Sequence, residues 1–380
     1  MLRNRASKLK LYVKRVLHRK GVYSSGSVIS REDNISLYRS SRAARRAECP
    51  NLPLNLLVEV TSRCNLECRM CNVHHNTRSG RMIPDGLLDA TLDLAKTASV
   101  VYPFGLGEPL LHPDIVGIVR RYKSLGAFVG FVTNGMLLTE KISGGLIANG
   151  LDHLTISVDA ADKALLSQIR RGADLDRISA NIRTLISLKK SLGSGNPSLS
   201  LSVVSQLSNF TEMKGIVRLA RELGIYAVDF SPITVHEHIS EIQGEALGPG
   251  VADWREILSA CDLEAEARGV SIDTRRLRYV LGGSSPAEVY QEVVPCPEPF
   301  CFMVIRANGD VFPCCNWDVK RPIATVASPD KASSGDLREI WKSPDWRALR
   351  ERIILGDYPE ECVKCMTNYT RPYDDRPAAA

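Results

Sequence analysis

Leu54-Asn55-Leu56-Leu57-Val58-Glu59-Val60 is a short, almost continuous apolar run, and Thr61-Ser62-Arg63-Cys64-Asn65-Leu66-Glu67-Cys68-Arg69-Met70-Cys71 follows it directly. The run reads as a strand buried on both faces, since a half-buried strand would alternate apolar with polar residues. Three thiols at C-x3-C-x2-C spacing then stand just beyond its carboxyl end. Working outward, apolar runs recur at 99–104, 127–132, 153–158, 199–205 and 225–231. Segments with helical spacing lie between them at 84–97, 112–124, 138–149, 162–192 and 211–223. Buried strands alternating with helices predict a parallel sheet with crossover connections. Six such units suit an α/β fold of the partial (β/α)6 TIM type, with active residues at the carboxyl ends of the strands.

A further helix is expected over 250–268. Beyond about 290 the alternation stops and Pro, Gly and Cys punctuate short segments, as in a small region that relies on bound metal for stability. The chain therefore divides into a basic N-terminal arm (1–48), a barrel (49–285) and a small cysteine-rich extension (286–380).

Of 380 residues 44% are hydrophobic and 24% charged, ordinary globular proportions. Aromatics make up only 6%, too few for a stacking platform, so nucleic acid is not an expected partner. The formal charge is +6, but residues 1–48 carry thirteen Lys or Arg against three acids, a net of +10 that leaves about −4 for the rest. In this arm Leu9, Val13, Val16 and Leu17 fall on one side of a helix and Lys10, Lys14, Arg15 and Lys20 elsewhere. Such a segment either makes weak contact with a membrane surface, packs on its own domain, or forms a tail. No stretch approaches the ~18–20 apolar residues of a membrane span, and charges interrupt any signal-peptide core. A cytoplasmic location is expected, where eleven cysteines serve metal binding or catalysis more readily than disulfides.

Three thiolates from one short loop can hold three irons of a cubane and leave the fourth iron open, whereas structural zinc sites close four protein ligands around the metal. His74 and His75 keep a zinc alternative in view. The motif, with bulky Met70 before the third Cys, resembles that of the radical S-adenosylmethionine (SAM) superfamily. The resemblance implies a 4Fe–4S cluster on Cys64, Cys68 and Cys71 whose open iron takes the amino and carboxylate groups of SAM. Reductive cleavage then yields a 5′-deoxyadenosyl radical that abstracts a substrate hydrogen, while the barrel binds and orients. Gly105-Leu106-Gly107-Glu108-Pro109 after the second strand is similar to the family's Gly-Gly-Glu-Pro element, with Leu106 displacing the first glycine; Gly107, Glu108 and Pro109 match it and would hold the cofactor's ammonium. Thr133-Asn134-Gly135 and Ser157-Val158-Asp159 are similar to family positions near ribose and adenine. Arg170 of Arg170-Arg171-Gly172 resembles the arginine that pairs with the cofactor carboxylate, a task suited to a planar guanidinium. Read singly, these are also a turn, helix caps and a solvated face.

The second cysteine group spans Cys296-Pro297-Glu298-Pro299-Phe300-Cys301, then Asn308-Gly309-Asp310-Val311-Phe312-Pro313-Cys314-Cys315, then Cys362-Val363-Lys364-Cys365. Asn308-Gly309 between apolar residues signals a hairpin, which would bring Cys296 near Cys314. The pattern resembles the twitch or short SPASM extension, with Phe300 where Trp is usual. It implies one auxiliary 4Fe–4S cluster on Cys296, Cys314, Cys362 and Cys365, with Cys301 as an alternative to Cys296 and a zinc ribbon as the alternative to the cluster.

An auxiliary cluster with four protein ligands suits electron transfer, so the resemblance implies oxidation or epimerisation of a substrate radical. An epimerase needs a hydrogen donor, for which Cys261, Cys301 and Cys315 are candidates, each also readable as a structural thiol. His236, Glu237 and His238 lie at the expected barrel mouth. Because the 1–48 arm is too short for a leader-binding domain, a small molecule such as a sugar or aminocyclitol is the expected substrate. A peptide-modifying or crosslinking maturase is the alternative, and a non-enzymatic iron–sulfur or zinc protein a further one. A reducing partner such as flavodoxin or ferredoxin is implied.

Overall fold

The computed structural model describes residues 29–71, 80–236, 238–283, 296–362 and 365. The basic stretch around Leu9 to Lys20, His74, His75 and Glu237 lie outside the described residues. In chain order the elements open with helix α1 (Arg31–Ala43), strand β1 (Asn55–Val58), the two-residue β2 (Glu67–Cys68) and α2 (Asp85–Ala95). They continue with β3 (Val100–Tyr102), α3 (Ile115–Ser124), β4 (Phe128–Thr133), α4 (Glu140–Ala148) and β5 (His153–Ser157). Then come α5 (Lys163–Ile169), β6 (Arg170–Arg171), α6 (Leu175–Ser191), β7 (Ser198–Ser205), α7 (Met213–Glu222) and β8 (Ala227–Pro232). The remainder comprises α8 (Trp254–Arg268), β9 (Ser271–Asp273), α9 (Arg275–Gly282), the short α10 (Glu298–Cys301), β10 (Phe302–Ile305), β11 (Asp310–Phe312), β12 (Ala324–Thr325), α11 (Ser334–Trp341) and α12 (Pro344–Leu355).

One ten-stranded sheet runs in the order β12-β11-β10-β1-β3-β4-β5-β7-β8-β9 and does not close. From β10 to β9 every neighbouring pair is parallel. The β/α alternation of residues 54–232 is thus the partial barrel expected from the apolar runs. Alternate strand residues, among them Leu56, Val58, Val101, Val129, Leu154, Ile156, Leu201 and Val203, are almost wholly buried, each worth about 1.5–3 kcal/mol relative to exposure. Helix starts are fixed by side-chain caps: Thr139 accepts from the Ile142 amide, Asp162 from Leu165, and Asp174 from Asp176 and Arg177.

The structure departs from the sequence reading in one place and adds two features on which that reading was silent or open. The helix expected over 162–192 breaks into α5 and α6, because Arg170 and Arg171 pair as a strand with Cys68 and Glu67. Gly172 then takes φ +89°, a conformation open to glycine at little cost. Next, β10 does not stand apart from the barrel but pairs in parallel with β1 (Asn55↔Phe302 to Val58↔Ile305). The Asn308-Gly309 turn links it to antiparallel β11, with Val304 opposite Phe312.

Finally, residues 31–43 of the basic N-terminal segment form a docked helix. Arg31 donates to the carbonyls of Ala98 (2.6 Å), Gly126 (2.8 Å) and Leu125 (2.9 Å). Buried Asn34 bonds both the amide and carbonyl of Leu52 and the carbonyl of Thr97. Among the described residues no helix is long and apolar enough to cross a membrane.

Candidate active site

The carboxyl ends of β1, β3, β4 and β5 carry the cysteine loop, Gly105–Pro109, Thr133-Asn134 and Ser157–Asp159, and the structure brings these segments together. The cysteine loop is tied at its base: the Ser62 amide (2.9 Å) and Thr61 Oγ1 (3.0 Å) both donate to the Arg81 carbonyl. Its far side is held by the β2–β6 pairing and by the Arg69 amide donating to the Ile169 carbonyl at 3.0 Å. Cys64 and Cys71 are half-buried and Cys68 buried. Burial pushes the Cys64 thiol up and the Cys68 thiol to about 12, against the pull of Arg170. Both cysteines also feel the charge of Cys71. Thiols so placed ionise readily only when a metal's charge compensates.

Gly107 lies where the second motif meets this loop. A Cβ there would fall 2.3 Å from the Thr61 carbonyl oxygen and 2.6 Å from that of Arg63, so only a bare Cα permits the approach. The Glu108 amide donates to the Arg63 carbonyl at 2.7 Å, stitching the segments together. The Glu108 carboxylate is buried and accepts from Thr133 Oγ1 (2.7 Å) and the amides of Asn134 (2.7 Å) and Leu110 (3.1 Å). Burial raises its pKa, while the Asn134 and Thr133 bonds pull it back. Asn134 Nδ2 donates in turn to Asn65 Oδ1 at 2.9 Å, closing a chain from the cysteine loop through two motif segments. Pro109 opens a buried one-turn 3-10 helix over Pro109–Leu111.

Arg170 and Asp159 face one another. Nε and Oδ2 lie 2.6 Å apart as a buried ion pair, out of line for a straight hydrogen bond. Burial alone would lower the Arg170 pKa, yet Asp159 and Cys68 raise it. Its Nη1 stands 4.0 Å from Cys68 Sγ, so a guanidinium faces the centre of the thiol group. Ser157 is buried at the end of β5, two residues before Asp159. Met70 packs on Ile233, Ile239 and Ile242 of the segment after β8, and Arg69 reaches Glu245 at 3.5 Å. That segment also carries His236, whose ring lies 5.6 Å from that of His238. Burial and His238 lower the His236 pKa while Asp318, three residues past Cys315, raises it.

The extension gathers its own thiols. Cys296 feels the charge of Cys365, and Cys314 and Cys362 each feel that of Cys296. Burial pushes Cys296 and Cys362 to about 12 and Cys314 well up. Asn316 Nδ2 donates to Cys365 Sγ at 3.5 Å. Cys301 also feels the charge of Cys296, but its thiol donates to the Pro297 carbonyl at 3.4 Å in a buried spot beside Tyr38. Cys261 is fully buried in mid-α8 and is not brought to the strand ends, while Cys315 is exposed beside Asn316. Among the described residues no three His, Cys, Asp or Glu side chains converge to hold a single ion; a cubane, with one thiolate per iron, needs no such convergence. Buried thiols facing a guanidinium fit that anionic group.

Glu59 is a site residue that the motifs did not indicate. Its buried carboxylate accepts from the Leu106 amide (2.9 Å), Arg306 Nη1 (3.1 Å) and the Ala307 amide (3.3 Å). It thus joins the glycine-containing loop to the hairpin leading to Cys314. A charged residue inside the apolar run 54–60 was the only signal available.

Comparison with known proteins places a model described as the radical SAM superfamily on residues 58–197 and one for an iron–sulfur cluster-binding domain, SPASM, on 296–366. The chain is 28% identical over 323 residues to a PqqA peptide cyclase of Gluconobacter oxydans, covering 83% of both chains. It is 32% identical over 180 residues to the tungsten-containing aldehyde ferredoxin oxidoreductase cofactor-modifying protein of Pyrococcus furiosus, spanning 46% of this chain and only 49% of that protein. The crystal structure of Streptococcus suis SuiB bound to S-adenosylmethionine superposes with a TM-score of 0.64 at 16% identity, covering 90% of this chain and 78% of that one.

Proposed function

Because the chain belongs to the radical SAM superfamily and carries a SPASM-type iron–sulfur domain, we propose that it is a maturase that modifies or crosslinks a peptide. Its cofactors are SAM, the 4Fe–4S cluster that binds SAM, and an auxiliary 4Fe–4S cluster. When bound, the first cluster supplies the electron that cleaves SAM to the 5′-deoxyadenosyl radical, which abstracts a substrate hydrogen.

The supporting observation is the similarity to a PqqA peptide cyclase along 83% of both chains. Expectation of a sugar or aminocyclitol rested on the shortness of the 1–48 segment alone. Likeness across barrel and extension together outweighs it.

In this reading Cys64, Cys68 and Cys71 are the ligands of the SAM-binding cluster. Met70, Gly107, Glu108, Pro109, Thr133, Asn134, Ser157, Asp159 and Arg170 form the cofactor pocket, with two refinements. Glu108 acts as a brace, since its oxygens already accept from Thr133, Asn134 and Leu110. Its neighbours' backbone is then what faces the cofactor ammonium. Arg170, balanced by Asp159, supplies fixed positive charge beside the cysteine loop. Cys296, Cys314, Cys362 and Cys365 are the auxiliary ligands, because the Cys301 thiol is directed into the core. A reductant such as flavodoxin or ferredoxin delivers electrons.

The test is anaerobic incubation of reconstituted protein with reductant, SAM and short peptides encoded beside it. The expected result is 5′-deoxyadenosine together with a peptide lighter by two mass units. If such peptides return unchanged while a sugar or cyclitol is oxidised, the peptide reading is lost.

A further inference from the structure

Helix α1 precedes the barrel, yet its carboxyl-terminal half lies against the extension. Tyr38 is buried and hydrogen-bonds the Cys301 thiol. One turn on, the Arg42 guanidinium stands 5.0 Å from the centre of the Phe300 ring, and its Nη1 donates to the Cys296 carbonyl at 3.5 Å. Stacking on an aromatic face and reaching a carbonyl at once is a task for a planar guanidinium. Arg42 is thereby held one residue's backbone from the Cys296 sulfur, on the turn that carries the first of the four extension cysteines.

Other charges also surround these thiols. Glu298 acts against Arg42 at Cys296, and more strongly, and it bears on Cys314 as well, while Glu361 and Arg352 oppose one another at Cys362. Arg350 is buried, its Nε donating to the Pro299 carbonyl at 2.8 Å, but bears on Cys49 and Cys301. A cluster with four thiolate ligands is a buried anion that grows more negative on reduction, and its potential follows local charge and burial. A fixed cation therefore favours the reduced form.

We infer that α1 is an outer electrostatic shell of the extension's cysteine site, with Arg42 the fixed cation that raises the reduction potential of the cluster held there. The step concerned is addition of one electron to that cluster from the reductant or from a substrate radical, with no change in ligands. The inference rests on the ligand assignment of Cys296, Cys314, Cys362 and Cys365. It gives residues 31–43 a part in tuning the site as well as in packing.

The experiment is a redox titration of full-length, anaerobically reconstituted protein followed by electron paramagnetic resonance. Signals that change when SAM is added report the first cluster, and those that do not report the second. Arg42→Gln should lower the midpoint potential of the SAM-indifferent cluster and leave the SAM-responsive one unmoved at unchanged iron content. Arg42→Lys should restore most of the potential. Arg39→Gln, which removes the same charge from an exposed position of the same helix, should shift neither. If Arg42→Gln loads iron poorly, Phe300→Leu, which removes the stacking face and keeps the charge, should lower the same potential by less. An unchanged potential in fully loaded Arg42→Gln, or an equal shift in Arg39→Gln, overturns the inference. Unmodified protein with a single cluster would instead sink the ligand assignment beneath it.

Discussion

Replacing Gly107 by alanine tests whether the contact between two motif loops sets the geometry of SAM cleavage. The added Cβ would sit 2.3 Å from the Thr61 carbonyl oxygen, where ordinary contact begins at 3.4 Å. Backbone opposes backbone, so the loops must part by about 1 Å. Overpacking of this kind costs about 1–3 kcal/mol of stability, whereas a displacement of ~1 Å at a reacting centre can cost on the order of 100-fold in rate. Gly86→Ala separates the two effects. Its Cβ would meet the Asp330 carbonyl oxygen, also at 2.3 Å, on α2 and away from the cysteine loop. Both variants should lose comparable stability in urea titrations. Only Gly107→Ala should lose 5′-deoxyadenosine formation by about two orders of magnitude, while still loading iron. Turnover at the wild-type rate in Gly107→Ala, or equal losses in both, would refute the argument.

Cys301→Ala should retain the iron of two cubanes, roughly eight per chain, while Cys296→Ala should fall to about half; equal losses would return Cys301 to the ligand set. Asp159→Asn leaves a buried guanidinium without its partner and should cost about 3–5 kcal/mol in chemical denaturation; a cost below about 1 kcal/mol would show the pair to be well solvated. Cys68, Cys296 and Cys362 have thiols raised to about 12 from 9.0. The iron-free fold therefore holds protons that the unfolded chain releases, so its stability is full below pH 9 and falls as pH rises towards 12. Iron-loaded protein, already ionised at these sulfurs, should show a smaller fall in thermal melts over the same range, since the buried thiols of Cys261 and Cys301, which bind no iron in this assignment, are also raised.

Strand and helix positions in the barrel are legible because each buried strand leaves a local apolar run. The expected 127–132 and 199–205 appear as Phe128–Thr133 and Ser198–Ser205. The ordering of the motif segments on successive strand ends is legible for the same reason. Contacts between distant residues leave no periodic trace. Arg170 and Asp159 were each expected against the cofactor, and their facing one another follows from the break in 162–192 that only the β2–β6 pairing explains. Glu59 joins loops 47 and 247 residues away, and Asn34 joins α1 to Leu52 and Thr97. Pairing of Phe302–Ile305 with β1 was hidden because four apolar residues carry no information about which edge they will occupy.

That last pairing bears on how the molecule is made. β1 emerges early in synthesis but acquires its second neighbour only after Ile305 has left the ribosome. Until then the nascent half-barrel exposes a bare sheet margin of Asn-Leu-Leu-Val, an invitation to stray β-pairing. A fragment ending near residue 285 would keep that open margin permanently. It should aggregate unless the missing segment is supplied in trans.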